Sequence, residues 1–249
     1  MKLLVCISNV PDTTTKVKFK DNSTTFDDMG VQWVINPWDE LALTRAVELK
    51  EDPDAHVSEI WVVNVGLALT EPTLRKCLAI GADKAIRIDA DPQDAFFTAT
   101  QLAAFIQQET FGFVICGIES GDYNDASVGG MLAEMLDVPS VSSVSGIRFE
   151  KAHAVIQRDV ANGKEEVSVE GLAVIIVQKG FAQVPKIPNM RGIMTARKKP
   201  LEVMAAIESE SLVTFVDYKL PSPKSKVKLV EAAQVAQLVD LLSKEAKVI

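Results

Sequence analysis

Histidine is nearly absent from this chain: two occur in 249 residues, His56 and His153, both in polar segments. A histidine-based triad or metal site therefore has almost nothing to draw on. Cysteine is scarce too. Cys6, Cys77 and Cys116 each sit inside an apolar pattern and share no CxxC spacing, so they read as small buried hydrophobes of a reducing compartment. No apolar run approaches the ~18 residues of a membrane span, and Met1–Ser8 reads as a strand without a signal peptide's long apolar core. A cytosolic protein with no membrane insertion is the expectation. Positive charge is not in excess either: the net charge of −8 argues against a nucleic-acid partner or a basic membrane-surface role. GxGxxG and the Walker lysine motif are both missing, so no dinucleotide or NTP fingerprint is present.

What is present suits one large α/β domain with an appendage: 47% hydrophobic and 24% charged residues over a length that can bury an ample core. Leu3–Ser8 reads as a buried strand ending in a polar loop. Lys16–Asp28, with Asp21-Asn22, reads as a hairpin or exposed excursion. Val31–Ile35 is a short strand before Asn36-Pro37-Trp38-Asp39-Glu40, where Asn36 is a candidate N-cap and Pro37 is tolerated at a helix start. Leu43, Ala46 and Val47 mark that helix's buried face. Ile60–Val65 is a strand, Thr70 a candidate cap, Pro72 first-turn, Leu74, Cys77 and Leu78 inward, and Gly81 the helix stop. Lys84–Ile88 and a helix over Ala99, Leu102, Ala103 and Ile106 follow. This alternation predicts a parallel sheet with helices on both faces. From Val141 onward, Ser142–Phe149, His153–Arg158 and Glu165–Val169 alternate, with Asn162-Gly163 as a hairpin signal, and Leu172–Val177 reads as a last fully apolar strand. The fold class expected is a three-layer α/β/α, Rossmann-like or adenine-nucleotide-hydrolase-like, whose mostly parallel sheet is extended by antiparallel strands. Residues 1–180 are expected to form the α/β domain, with the nucleotide site argued below. Residues 181–249, with a Pro-rich basic stretch and an amphipathic pattern at Val235, Leu238, Val239 and Leu242, form a loop and arm that pack on a partner.

The most informative stretch is Phe113–Pro139: an apolar strand, Gly117, a polar loop from Glu119 to Asp125, then Val128, Met131, Leu132, Met135 and Leu136 at helical spacing. That order aims a helix N-terminus at whatever lies beyond the strand, which suits a phosphate. The loops Ser8–Asp12, Asn36–Trp38, Val65–Gly66 and Gly117–Val128 all fall at strand C-termini, where open sheets bind ligands. Asp122 and Asp125 lack partners that would tune them as acid and base. A nucleotide held but not turned over fits better than an enzyme site with catalytic residues.

VCISNVPD, INPWDELAL, TEPTLRKCLAIGADKAIRI, GDYNDASVGGMLAEMLDVP and IPNMRGIMTARKKPLEV, in this order, resemble the beta subunit of electron transfer flavoprotein over nearly the whole chain. The resemblance implies a heterodimer whose alpha subunit carries the redox FAD, with a structural AMP in the beta subunit. It also implies electrons arriving from acyl-CoA or related dehydrogenases and leaving to a quinone oxidoreductase. By that likeness Cys6, Asn36 and Val65 line the adenosine end. Ala126, Ser127 and Val128 contact phosphate through backbone N–H groups, in the same loop as Asp122 and Asp125. Trp38 lies near the flavin. Ile187, beside Arg191, matches the residue that anchors partner dehydrogenases, and Asp159 matches a carboxylate facing an arginine of the alpha subunit. Tyr123-Asn124-Asp125 and Ala161-Asn162-Gly163 depart from the common patterns, and electron-bifurcating members hold a second FAD where others hold AMP. Two other classes compete: a homodimeric stress-type nucleotide-binding protein, and an adenylating or pyrophosphatase enzyme, against which the missing SGGxDS run counts.

Overall fold

The computed structural model describes residues 1–20, 24–150, 153–224 and 226–249. The elements in chain order are strands β1 (Lys2–Cys6), β2 (Asn9–Pro11), β3 (Phe19–Lys20), β4 (Thr25–Phe26) and β5 (Trp33–Ile35), then helix α1 (Pro37–Glu51). The βα rhythm follows: β6 (Glu59–Val65), α2 (Glu71–Ile80), β7 (Lys84–Asp89), α3 (Ala95–Ile106), β8 (Phe113–Gly117), α4 (Val128–Leu136). Then come β9 (Ser140–Glu150), β10 (His153–Val160), β11 (Gly163–Glu170), β12 (Val174–Val177), α5 (Met190–Ala196), β13 (Leu201–Ala205) and α6 (Val235–Asp240).

The main sheet has nine strands in the order β11-β10-β9-β12-β8-β1-β6-β7-β13. Pairing is parallel from β9 through β13 and antiparallel only in β9-β10-β11. Central strands are buried on both faces, which is why they read as unbroken apolar runs. Successive residues point to opposite faces. Leu3, Val5, Ile60, Val62 and Ile115 pack with α1 and α2, while Leu4, Val63, Ile86, Val114 and Ile176 pack with α3 and α4. The expected three-layer α/β/α architecture is the observed one.

Several local readings are corrected. Leu172–Val177 does contain the last fully apolar strand, but one more strand follows it, since Leu201–Ala205 pairs in parallel with β7 at the far edge. The 181–200 stretch contains α5, capped by Asn189, whose side chain accepts from Gly192 N–H at 2.7 Å. Thr70 does not cap α2: its hydroxyl donates back to the Leu67 carbonyl at 3.0 Å. Asn36 occupies the N-cap position of α1, but its side chain does not cap. The β10–β11 turn is Ala161-Asn162, with Val160 paired to Gly163. On α4 the buried positions are Gly129, Leu132 and Ala133, whereas Met131 faces outward. Asp21-Asn22 lies outside the described residues.

Two compact units are distinguished: residues 1–16 with 27–216, and residues 17–26 with 217–249. The first carries the sheet. In the second, β3 and β4 form a two-stranded hairpin, Phe19 stacks on Tyr218 at 5.0 Å between ring centres, and α6 leaves Val235, Leu238 and Val239 exposed. Among the described residues no helix is long and apolar enough to cross a membrane.

Candidate functional site

The chain leaves β1 toward β6 on one side, whereas β8 flanks β1 on the other. The connections therefore diverge at the C-terminal ends of β1 and β8, and a crevice opens there of the kind that takes ligands in doubly wound sheets. One buried carboxylate spans it. Asp39, in the first turn of α1 and 3% exposed, accepts Ser8 N–H through Oδ2 at 2.7 Å and Gly117 N–H through Oδ1 at 3.0 Å. Burial pushes Asp39 up to about 7, against the lowering effect of the Ser8, Asn36 and Gly117 hydrogen bonds. Gly117 is required by this closeness: an added Cβ would overlap the Asp39 carboxylate and stand 2.7 Å from Trp38 Cβ.

Asn36 makes the second tie. Its backbone N–H donates to Ser8 O at 3.0 Å, its Nδ2 donates to Glu119 O at 2.8 Å, and its Oδ1 accepts Gly121 N–H at 3.1 Å. The side chain that sequence pattern assigned to capping thus organises the loop after β8. Asn64, on β6, donates to Ile7 O at 2.8 Å, while its buried Oδ1 has no partner among the described residues.

Beyond Gly121 the loop is exposed and rises to α4. Ala126 has φ +52°, and Ser127, at the N-cap position, turns its hydroxyl to Asp125 O at 2.8 Å. No side chain caps α4, so its first N–H groups are open to an anionic ligand. Asp122 accepts the adjacent Tyr123 N–H at 3.0 Å, and both Asp122 and Asp125 are exposed. Tyr123 packs on Phe215 at 5.3 Å between ring centres. Phe215 lies near the end of a strap, residues 206–216, tied to α3. Gln101 grips Ile207 by two 2.8 Å bonds, and Asp94, which also caps α3, accepts Leu212 and Val213 N–H at 2.6 and 2.9 Å.

Trp38, Ala126 and Asp159 meet in one cleft, with Ile118, Glu119, Gln178 and Lys179, around a cavity of about 470 Å³. Asp159 accepts from Ser145 Oγ at 2.9 Å and Gln178 Nε2 at 2.6 Å, and Lys164 lies 3.5 Å away. The Ser145 hydroxyl first, with Gln178 and Lys164, holds Asp159 below the usual carboxylate range. Cys6 and Val65 end β1 and β6 as buried floor residues. A hydrogen bond with the Cys116 thiol, then burial, holds Cys6 well above the ordinary thiol range, so it stays a neutral wall. Val128 begins α4. Ile187, 84% exposed, and Arg191 lie apart from the cleft residues, on the segment around α5. Asp39, Gln178 and the Tyr123–Phe215 pair were missed from sequence, and Ser8 was read only as the start of a loop. Among the described residues no cluster of His, Cys, Asp or Glu suits a metal ion.

The arrangement offers uncapped N–H groups, a glycine-lined approach and a floor of small apolar residues, which fits a phosphate-bearing nucleotide held without chemistry. Comparison with known proteins agrees at the level of family. The Electron transfer flavoprotein domain model matches residues 23–209. "Electron transfer flavoprotein subunit beta" of Bacillus subtilis (strain 168) is 31% identical, with all of both chains covered. The protein of that name from Syntrophomonas wolfei is 33% identical, covering 90% of this chain and 88% of its own. "Electron transfer flavoprotein subunit beta, mitochondrial" of Oryza sativa subsp. japonica is 31% identical over all of both chains. The chain belongs to the electron transfer flavoprotein family, as a beta subunit.

Proposed function

We propose that this beta subunit pairs with an alpha subunit, holds AMP as a structural ligand at the β1/β8 crevice, and docks dehydrogenases so that electrons pass through an FAD held mainly by alpha. The observation that carries the AMP assignment is the pair of ties, Asp39 and Asn36, that draw the loops after β1 and β8 together beneath the uncapped N-terminus of α4. Phosphate is to be held by backbone N–H of Ala126, Ser127 and Val128, near Asp122 and Asp125. The adenosine end is to rest on Cys6, Asn36 and Val65. Trp38, a wall of the cleft, is placed to border the flavin, and Asp159 to meet a cation of the alpha subunit; its ionised form is favoured by its own hydrogen bonds.

When bound, the flavin supplies the redox chemistry. This chain contributes binding, orientation and partner choice, and no catalytic residue of its own. Ile187, with Arg191 beside it, is assigned to docking acyl-CoA or related dehydrogenases, with a quinone oxidoreductase as acceptor. Three buried free thiols favour the cytoplasm as the compartment. The test is co-purification with the alpha subunit and extraction of bound nucleotides. One AMP and one FAD per heterodimer is expected; FAD in place of AMP would overturn the AMP assignment.

A further inference from the structure

We propose that Thr44 and Gly192 are positioning residues that hold the Ile187 tip rigid for docking, an inference that rests on the docking role just assigned to Ile187. The exposed apolar groups of this segment are Val184, Ile187, Met190, Ile193 and Met194. Exposed aliphatic groups on a mobile loop would lose much of their binding energy to ordering. Here the loop is fastened on both sides of Ile187.

On the N-terminal side, the hydroxyl of Thr44, buried in α1, donates to Glu40 O at 2.7 Å and accepts Lys186 N–H at 2.9 Å. A side chain of α1 thus holds the backbone one residue before the tip. The Lys186 ammonium also pairs with Glu51 at the end of α1. Pro185 and Pro188 restrict the backbone on either side of the Lys186-Ile187 pair.

On the C-terminal side, α5 lies against α2 with Gly192 on the Ala79 carbonyl, where an added Cβ would overlap the oxygen. Arg75 of α2 donates to Ala196 O at 2.9 Å and Lys199 O at 2.8 Å, and the Lys199 ammonium donates back to Leu78 O at 3.0 Å and Ala82 O at 2.6 Å. Only a residue without a side chain lets α5 sit this close, and α5 carries Met190 and Met194. The tip is thus referenced to two helices of the sheet domain, and the geometry offered to a partner is set by the core.

Four variants of the heterodimer test this: Thr44→Val, which keeps shape but removes the acceptor for Lys186 N–H; Thr44→Ser, which restores it; Gly192→Ala; and Ile187→Ala. Each serves as electron acceptor for an acyl-CoA dehydrogenase, with KM and kcat measured separately. AMP content and dithionite reduction of the flavin are followed alongside, as is the rate of tryptic cleavage at Arg191. Thr44→Val and Gly192→Ala are expected to raise KM about three- to tenfold with kcat and AMP content unchanged, and to speed cleavage at Arg191. Thr44→Ser returns both to wild type. If Ile187→Ala raises KM but Thr44→Val and Gly192→Ala do not, the positioning role is refuted and docking stands. If Ile187→Ala also leaves KM unchanged, the docking reading falls and takes this one with it. A Thr44→Val chain too unstable to assay leaves Gly192→Ala, on a separate anchor, to decide.

Discussion

Replacing Asp39 by Asn keeps the side-chain shape and removes both the titration and one acceptor. The carboxylate oxygens accept two backbone N–H groups from segments 31 and 78 residues away in sequence. An amide has one acceptor oxygen, so in either orientation its NH2 confronts Ser8 N–H or Gly117 N–H. Leaving one such donor unsatisfied costs about 1–3 kcal/mol. Against this stands the buried charge. Asp39 is pushed by burial from 3.8 to about 7 in the folded protein. A carboxyl raised on folding contributes stability that is fully present below pH 3.8 and is lost as the pH rises through about 7. At about 1.36 kcal/mol per pH unit, the wild type loses roughly 2–3 kcal/mol through this group between pH 5 and pH 7, and the Asn variant loses none of it. Asp39→Asn should be the less stable protein at pH 5 and gain on wild type by that amount by pH 7. Urea unfolding of both at the two pH values reads the gap directly. A gap that does not move with pH would mean that Asp39 is ionised throughout, held so by its two N–H donors and the start of α1.

Other consequences are more local. Gly129→Ala places a Cβ 2.7 Å from Ile176 Cγ1 and should shift the start of α4, costing about 1–3 kcal/mol and lowering AMP per heterodimer; unchanged AMP after nucleotide extraction would put the phosphate elsewhere. Phe215→Ala removes the ring pair that pins Tyr123, about 0.5–1.5 kcal/mol, and should speed exchange of bound AMP against labelled AMP. An exchange rate equal to wild type would show that the strap does not steady the loop. Expressed without its partner, the chain should purify colourless, because it has no flavin fingerprint of its own; stoichiometric FAD on the isolated chain would contradict this.

The layers of the fold were legible because burial on both faces leaves a direct record in composition. Val62 and Val63 point to opposite cores, yet both must be apolar, so the strand appears as a solid run. Strand β13 left no such record. It is an edge strand with every side chain at least partly exposed, and Leu201–Ala205 becomes a strand only through its parallel partner β7, more than a hundred residues earlier. Helix α5 was hidden for a related reason: of its seven residues only Ala196 is buried, so no amphipathic period marks it.

The candidate crevice also left a trace in one continuous stretch, where a strand, a glycine and a helix start without a side-chain cap follow one another. The residues that build it did not. Asp39 has the form of any first-turn acid, and Asn36 that of any N-cap, because local sequence carries the propensity of a residue and not its partner. Their roles come from Ser8, Gly117, Glu119 and Gly121, which reach them only once β1 and β8 lie side by side. Sequence alone determined which segments must be buried and where small residues leave backbone exposed, for those are properties of contiguous chain. Tertiary structure alone decided that a buried carboxylate and a buried amide bridge the crevice, because hydrogen bonds between distant segments depend on register and not on pattern.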